Sequence, residues 1–192
     1  METEKKQDRR VIRTRRAIRN SFVALLAEKD LEKITIKEIA DNADVDRKTV
    51  YNYYSGVYEM LDEIENELVS SFRTATESFE YGTTETHEIF AGVARLVRDN
   101  FELYALLMKG DGNSRLVSKL VVCLQETIRS VLGRNDFVPP LKIDLAAEFV
   151  TSGMFSAYRY WFNSDRKQTL EEFTDDVARL VMGGLPQYFL DL

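Results

Sequence analysis

The chain has 192 residues, 44% of them hydrophobic, and a single cysteine, Cys123, which excludes an intrachain disulfide and is typical of a cytoplasmic protein with a buried thiol. Uncharged windows such as residues 149–158 are shorter than the roughly 18 apolar residues of a membrane-spanning helix, and the charged N-terminal segment is unlike a signal peptide, so no membrane partner is expected. The net charge of −6 argues against nucleic-acid binding, but residues 1–56 carry 13 basic and 10 acidic side chains and the remainder carries 13 and 22.

Apolar residues recur at steps of three and four almost throughout, which predicts an all-α fold of about 8 to 9 helices. The first helix is predicted over about Arg9–Glu28. One side of it is apolar, and the other side continues a basic segment with eight basic residues between Lys5 and Arg19. The N-terminal segment is therefore basic, whereas the protein is otherwise acidic.

Two short helices are predicted next. Thr35 and Glu38 have the spacing of a capping box, which opens a helix to about Asn42. A turn at residues 43–45 follows, and Asp46 is expected to cap a third helix that ends near Tyr53. Two short helices joined by a three-residue turn match a helix-turn-helix.

The rest of the chain predicts longer helices. After Gly56 a fourth helix begins at Val57, so we predict a helix-turn-helix domain over residues 1–56 and a helical regulatory and dimerisation domain over residues 57–192. The second capping box, Thr169 with Glu172, opens the last helix, and Gly183-Gly184 are expected to close it. The further helices are expected over about 57–79, 89–108 with a break near Asn100 and a turn at 109–113, 116–131, 141–162 and 170–182.

The short helices carry a recognisable pattern. Residues 34–40 read ITIKEIA and residues 43–54 read ADVDRKTVYNYY. This Thr-capped helix, Ala-x-Val turn and Thr-x-Tyr-x-aromatic-aromatic helix resemble the TetR/AcrR family of transcriptional regulators. A weaker resemblance to one subgroup continues through Asn100-Phe101 with Tyr104–Leu107, Phe149 with Gly153, and Tyr160-Trp161. The resemblance implies a helical homodimer that binds a double-stranded DNA operator, usually as a repressor released by a small-molecule effector.

The family's recognition helix enters the major groove, which gives candidate DNA contacts by position. Arginine and lysine pair with guanine and asparagine pairs with adenine, whereas threonine and tyrosine hydroxyls also bind phosphates. Other residues of this region are expected to pack in the protein core and not to contact DNA, namely Val45, Val50, Ile39, Ala40 and Tyr54. The arginines of the first helix are interpreted as phosphate contacts, with a solvated face as the alternative. The candidate DNA contacts are Arg13, Arg15, Arg16, Thr35, Lys37, Arg47, Lys48, Thr49, Tyr51, Asn52 and Tyr53.

The pattern departs from the family at two positions. Asp44 replaces the usual turn glycine, which aspartate tolerates because it visits left-handed backbone more readily than most residues. Val57 stands where the family commonly has a phosphate-binding lysine, and residues 35–56 carry three bases against four acids. The alternative function is therefore a TetR-like protein-interaction module, or an activator, with altered or lost DNA or ligand response.

The last two helices have more apolar surface than one core needs, and the resemblance implies that they pair with a second copy in a four-helix bundle. Folding back on the same chain is the alternative. The expected dimer residues are Ala146, Phe149, Gly153, Ala157, Trp161, Phe173, Val177 and Leu180. Ligand-lining candidates, each of which could equally be ordinary core, are Phe72, Phe90, Tyr104, Met108, Cys123 and Tyr158. Ligand binding is expected to tilt the fourth helix and so change the distance between the two helix-turn-helix domains of the dimer.

No enzyme is predicted. The only histidine, His87, has the pattern of a surface residue, and no cysteine, histidine or carboxylate cluster has metal-ligand spacing. A glycine-rich phosphate loop and a nucleophile elbow are also missing from the sequence. No cofactor or metal is therefore expected.

Overall fold

The computed structural model describes residues 2–76, 86–108, 115–134 and 138–190, and these residues form helices and connecting turns. The all-α prediction is confirmed. None of the helices in these ranges is both long and apolar enough to cross a membrane. The helices are α1 (Glu2–Glu28), α2 (Ile36–Asn42), α3 (Arg47–Tyr51), α4 (Val57–Thr76), α5 (Thr86–Asp99), α6 (Phe101–Met108), α7 (Arg115–Leu132), α8 (Pro140–Asn163) and α9 (Leu170–Leu190), with one 3-10 turn at Leu31–Lys33.

The chain divides into two compact units, Met1–Asn66 and Glu67–Leu192. Helix α4 begins in the first unit and ends in the second. The expected functional boundary at Gly56 and Val57 stays a prediction. The expected end of the fourth helix near residue 79 and the expected turn at residues 109–113 lie outside the described residues, as does the side chain of His87.

The first unit is built around apolar side chains from each of its helices. α1 packs against α2, and α2 packs against α3. Within this core, Ser21 Oγ donates a hydrogen bond of 2.9 Å to the carbonyl oxygen of Ile39, so a buried hydroxyl ties α1 to α2. The predicted packing residues Ile39, Ala40, Val50 and Tyr54 are buried, as are Ile18, Phe22, Met60 and Ile64.

In the second unit α7 packs against α8, α5 against α9, and α8 against α9, while α6 contacts its neighbours α5, α7 and α8. The Cys123 thiol is buried, as expected. An aromatic cluster joins α6, α8 and α9, in which the rings of Trp161 and Phe173 stack with centroids 5.9 Å apart. Trp161 Nε1 also donates to the carbonyl oxygen of Gln168 at 3.1 Å, so this indole is held entirely by its own chain.

Both predicted capping boxes are present. The Thr35 backbone donates to Glu38 Oε2 at 3.0 Å, and the Glu38 backbone donates to Thr35 Oγ1 at 3.3 Å. The corresponding distances for Thr169 and Glu172 are 2.9 and 3.2 Å. The expected break near Asn100 separates α5 from α6, and Asn100 Nδ2 donates to the carbonyl oxygen of an earlier turn. Local polar patterns therefore located these helix ends correctly.

Three details of the helix ends differ from expectation. Helix α1 begins at Glu2, so the basic segment before Arg9 has a helical backbone. Asp46 has the extended backbone of an N-cap, but its side chain makes no capping hydrogen bond. Helix α9 runs through Gly183 and Gly184 to Leu190, because glycine permits a helix end without imposing one.

The turn between α2 and α3 has the geometry expected for Asp44. Its φ is +53°, in the left-handed region that side chains rarely adopt. The next residue, Val45, donates its backbone N–H to the carbonyl oxygen of Ala40 at 3.0 Å, which closes the turn after α2. A short polar residue therefore adopts the left-handed backbone conformation that the usual glycine would adopt at this position.

The Glu38 carboxylate is expected to stabilise the protein at neutral pH and to lose this effect in acid. Hydrogen bonds from Lys29 Nζ at 2.5 Å, and then from Thr35, lower the pKa of Glu38 from 4.5 to about 2. The contribution is therefore complete above pH 4.5 and is lost as the pH falls through about 2. We expect Glu38→Gln to lower the free energy of unfolding at pH 7 and to flatten its decline in this acid range. Urea denaturation at several pH values measures this, with the exposed Glu32→Gln as control, and parallel curves for wild type and Glu38→Gln contradict it.

Candidate nucleic-acid interface and regulatory surfaces

The outward face of α3 is rich in basic and hydrogen-bonding side chains. Val50 is fully buried, and this fixes the rotation of the helix about its axis. Arg47 and Lys48 are consequently exposed, as is Tyr51, whose exposed fraction is 58%. Asn52 is exposed immediately after the helix. The face therefore presents donors that can reach base edges or phosphates.

The other candidates for DNA contact lie in three different settings. Thr49 and Tyr53 are half-buried beside the exposed face of α3. Thr35 and Lys37 are exposed at the start of α2, where the Thr35 hydroxyl also donates to Glu38 Oε2 at 2.8 Å. The remaining candidates are exposed arginines of α1, which are Arg13, Arg15 and Arg16.

Arg15 differs from the other arginines because it belongs to a closed network with Tyr54 and Glu63. Arg15 Nε donates to the Tyr54 hydroxyl at 3.3 Å, and that hydroxyl donates to Glu63 Oε1 at 2.9 Å. The Arg15 guanidinium also forms an ion pair with Glu63 Oε2. The hydrogen bonds that Arg15 donates to Tyr54 and Glu63 raise the pKa of Arg15 further above its usual value, and burial raises the pKa of Tyr54.

The sequence pattern does not predict this network. It predicts a phosphate contact or a solvated residue at Arg15 and a packing residue at Tyr54. Tyr54 is buried as expected, but its hydroxyl has a polar role, and the carboxylate that binds Arg15 is 48 residues away in the chain. No local spacing rule connects residues at that separation.

Helices α8 and α9 present an apolar surface on the second unit. Its centre is a groove of about 560 Å³, which we call the α8–α9 groove. Phe149 and Leu180 are each 78% exposed at this groove, although both are large apolar side chains. The lining residues are Leu145, Ala146, Phe149, Val150, Gly153, Met154, Ala157, Val177, Leu180, Val181 and Gly184.

The expected dimer residues divide according to their exposure. Phe149, Gly153 and Leu180 are exposed and Ala157 is half-buried, whereas Ala146 and Val177 are buried below the groove. Trp161 and Phe173 lie in the aromatic cluster instead of the groove lining, because Trp161 is buried against its own chain. The expected dimer surface did not include Leu141, Val181 and Gly184. Steps of four from Leu141 through Leu145 to Phe149 were the signal that could have found the exposed stripe.

A small cavity of about 30 Å³, partly open to the surface, lies in the second unit. Four ligand-lining candidates surround it, whereas Phe90 and Cys123 are buried and do not line it. The Tyr104 hydroxyl has no hydrogen-bond partner among the described residues, and the Tyr158 hydroxyl lies 3.0 Å from Thr174 Oγ1. The lining residues are Phe72, Val93, Val97, Tyr104, Met108, Leu120, Met154, Phe155, Tyr158 and Phe162.

Burial determines the acid-base character of these two tyrosines. It raises the pKa of Tyr158 to about 12, and it raises the pKa of Tyr104 well above its usual value. Both hydroxyls are therefore neutral donors near neutral pH. No cluster of three or more histidine, cysteine or carboxylate side chains that could hold a metal ion occurs in the described part of the chain.

Two family models match the sequence. The family described as bacterial regulatory proteins, tetR family, matches residues 21–64, which include α2 and α3. The family described as transcriptional regulator C-terminal region matches residues 84–183, more than half of the chain. The two matches cover most of both compact units.

Individual proteins give similar results. The chain is 44% identical to an uncharacterised HTH-type transcriptional regulator, YxbF of Bacillus subtilis (strain 168), over 61 residues, which are 31% of this chain and only 16% of that protein. A TetR transcriptional regulator from Streptococcus agalactiae 2603V has a similar structure, with a TM-score of 0.68, 22% identity, and 93% and 98% of the two chains covered. FadR from Bacillus subtilis, solved in complex with stearoyl-CoA, has a TM-score of 0.65, 18% identity, and 88% and 97% of the chains covered. These structures share the fold of this chain.

Proposed function

The chain belongs to the tetR family of bacterial transcriptional regulators, and from this membership we propose that it is a homodimeric, sequence-specific DNA-binding repressor released by a small apolar ligand. As a family member it is a transcription factor and not an enzyme. Its proposed partners are a double-stranded operator, a second copy of the chain and a small-molecule effector. The proposal locates the protein in the cytoplasm, where bacterial DNA lies.

The exposed face of α3 is the observation that carries the DNA-binding proposal. A helix whose buried side is fixed by Val50 holds Arg47 and Tyr51 in defined positions, as base readout requires. The neighbouring acids Asp44 and Asp46 weaken the general attraction to phosphates, so the arginines of α1 supply much of that attraction. The proposed division of labour is base contact by α3 and phosphate contact mainly by α1.

A DNA-binding assay with variants tests this proposal. We expect the full chain to bind a fragment of the DNA flanking its own gene selectively, and Arg47→Ala and Tyr51→Ala each to weaken binding about tenfold or more. Arg134→Ala removes an exposed arginine of the second unit and serves as the charge-matched control. Binding that ignores sequence and is unchanged by Arg47→Ala and Tyr51→Ala contradicts the proposal.

The α8–α9 groove supports the proposed homodimer. A contiguous patch of exposed large apolar side chains often marks an interaction site. An isologous contact would place the same face of each copy against the other and cover Phe149 and Leu180. Two joined heads can then bind two half-sites about 34–36 Å apart.

The small cavity of the second unit supports the proposed effector site. Its lining surface is entirely apolar, so it suits an apolar ligand. FadR of the same fold was solved with stearoyl-CoA, which carries a long apolar chain. A volume of about 30 Å³ holds no such molecule, so ligand binding requires a conformation with a larger cavity. A ligand that binds only this conformation shifts the population away from the DNA-binding one.

Removal of the Tyr104 hydroxyl is expected to stabilise the protein instead of destabilising it. A buried donor without a partner is unfavourable by about 1–3 kcal/mol, so Tyr104→Phe should raise the free energy of unfolding of the ligand-free protein by about 1 kcal/mol. Urea denaturation checks this result. Tyr158→Phe is the matched control, because its hydroxyl has Thr174 as a partner, and this variant should be neutral or less stable. A Tyr104→Phe variant as destabilised as Tyr158→Phe contradicts the prediction.

A further inference from the structure

The Arg15–Tyr54–Glu63 network connects three parts of the first unit. Arg15 belongs to α1, Tyr54 follows the recognition helix α3, and Glu63 lies in the second turn of α4. Each Glu63 oxygen has its own partner, since Oε1 accepts from Tyr54 and Oε2 from Arg15. The glutamate is therefore the member through which α4 contacts both other elements.

The positions of these residues suit orientation of the recognition helix. The Tyr54 backbone N–H donates to the carbonyl oxygen of Val50 at 3.0 Å, so Tyr54 is bonded directly to the end of α3. Its residue exposure is 3%, whereas the Arg15 side chain is 54% exposed and the Glu63 side chain 24% exposed. The network thus has a buried end at the recognition helix and an open end at α1.

We propose that Glu63 is a positioning residue for DNA reading: it holds Tyr54 and Arg15 against α4 and thereby sets the orientation of α3. This inference rests on the proposed DNA-binding function. Glu63 contacts no DNA and acts through the two residues that it binds. Because α4 extends beyond this unit, a rotation of α4 moves Glu63 and alters the support of α3.

A different role for the same contact makes the opposite prediction. If Glu63 only occupied Arg15 in place of a phosphate, its removal would free the arginine and strengthen binding to every DNA sequence. If Glu63 positions α3, its removal weakens selective binding and leaves nonselective binding intact, since base contacts need orientation and phosphate contacts need mainly charge. Selective and nonselective affinity therefore separate the two roles.

The test uses the full chain with Glu63→Gln, which keeps the shape of the side chain and removes its charge. We expect affinity for the operator fragment to fall about tenfold and affinity for unrelated DNA to be unchanged or higher. Tyr54→Phe should act in the same direction, and the double variant should lose less than the two single losses combined. Glu28→Gln, an exposed glutamate at the end of α1, is the charge-matched control.

A second measurement needs no DNA. Hydrogen exchange of the backbone amides of residues 49–54 should be faster in Glu63→Gln than in wild type and in Glu28→Gln. Equal exchange and equal or tighter operator binding by Glu63→Gln overturn the positioning role. Failure of wild type to bind any fragment selectively overturns the proposed function, and the exchange rates then still show whether Glu63 supports α3.

Discussion

Phe149→Asp should convert the protein to a monomer and reduce its operator affinity about 100-fold or more, because two linked heads bind a two-part site far more tightly than one. Phe149 is 78% exposed in the single chain, so the substitution should change the stability of the protomer little. A carboxylate buried at the centre of an apolar contact has no partner and opposes association strongly. Leu180→Asp, on the other helix of the groove, should give the same result.

Sedimentation or light scattering measures the oligomeric state, and an anisotropy titration measures the affinity. Val122→Asp is the matched control, since Val122 is an exposed apolar residue of α7 outside the α8–α9 groove. It should remain dimeric and bind DNA normally. A Phe149→Asp variant that stays dimeric would show that the copies associate through another surface.

Phe22→Ala should lower the free energy of unfolding by about 3–5 kcal/mol, because it leaves a cavity at a fully buried position of α1. The first unit has few helices with which to fill the space. Selective DNA binding should consequently be lost at temperatures where wild type still binds. The measurement is a shift of the urea midpoint at unchanged slope.

The control for this effect lies on the same helix. Val11→Ala removes apolar atoms from a residue that is 42% exposed, so its effect on the free energy of unfolding should be within about 0.5 kcal/mol. If Phe22→Ala and Val11→Ala had equal effects, Phe22 could not be part of a closely packed core.

The helices were predictable because local patterns specify them. Apolar steps of three and four follow the helical repeat, and Thr35 with Glu38 marks a helix start through contacts within one turn. The end of α9 was not predictable, because glycine occurs both at helix C-caps and within helices. The local sequence at Gly183 and Gly184 does not decide between these two outcomes. Asp46 shows the same limit, as its backbone is that of a cap while its side chain makes no capping hydrogen bond.

The candidate sites were predictable only where a pattern singles out one face. Val50 and Tyr51 are neighbours whose opposite exposures follow from the expected α3. Helix α8 is apolar on more than one face, so periodicity did not show that Phe149 is exposed and Trp161 buried. The Arg15 ion pair with Glu63 depends on the packing of distant helices, which no spacing rule describes.

Selection of bound sequences from a random DNA pool tests the central claim most directly. A dimer that reads DNA with α3 predicts an enriched motif with two-fold symmetry, whose half-sites lie one helical turn or a multiple of it apart. The motif should change or disappear when Arg47→Ala protein is used. Recovery of no motif by wild type, at a salt concentration where it still binds DNA, would contradict the claim.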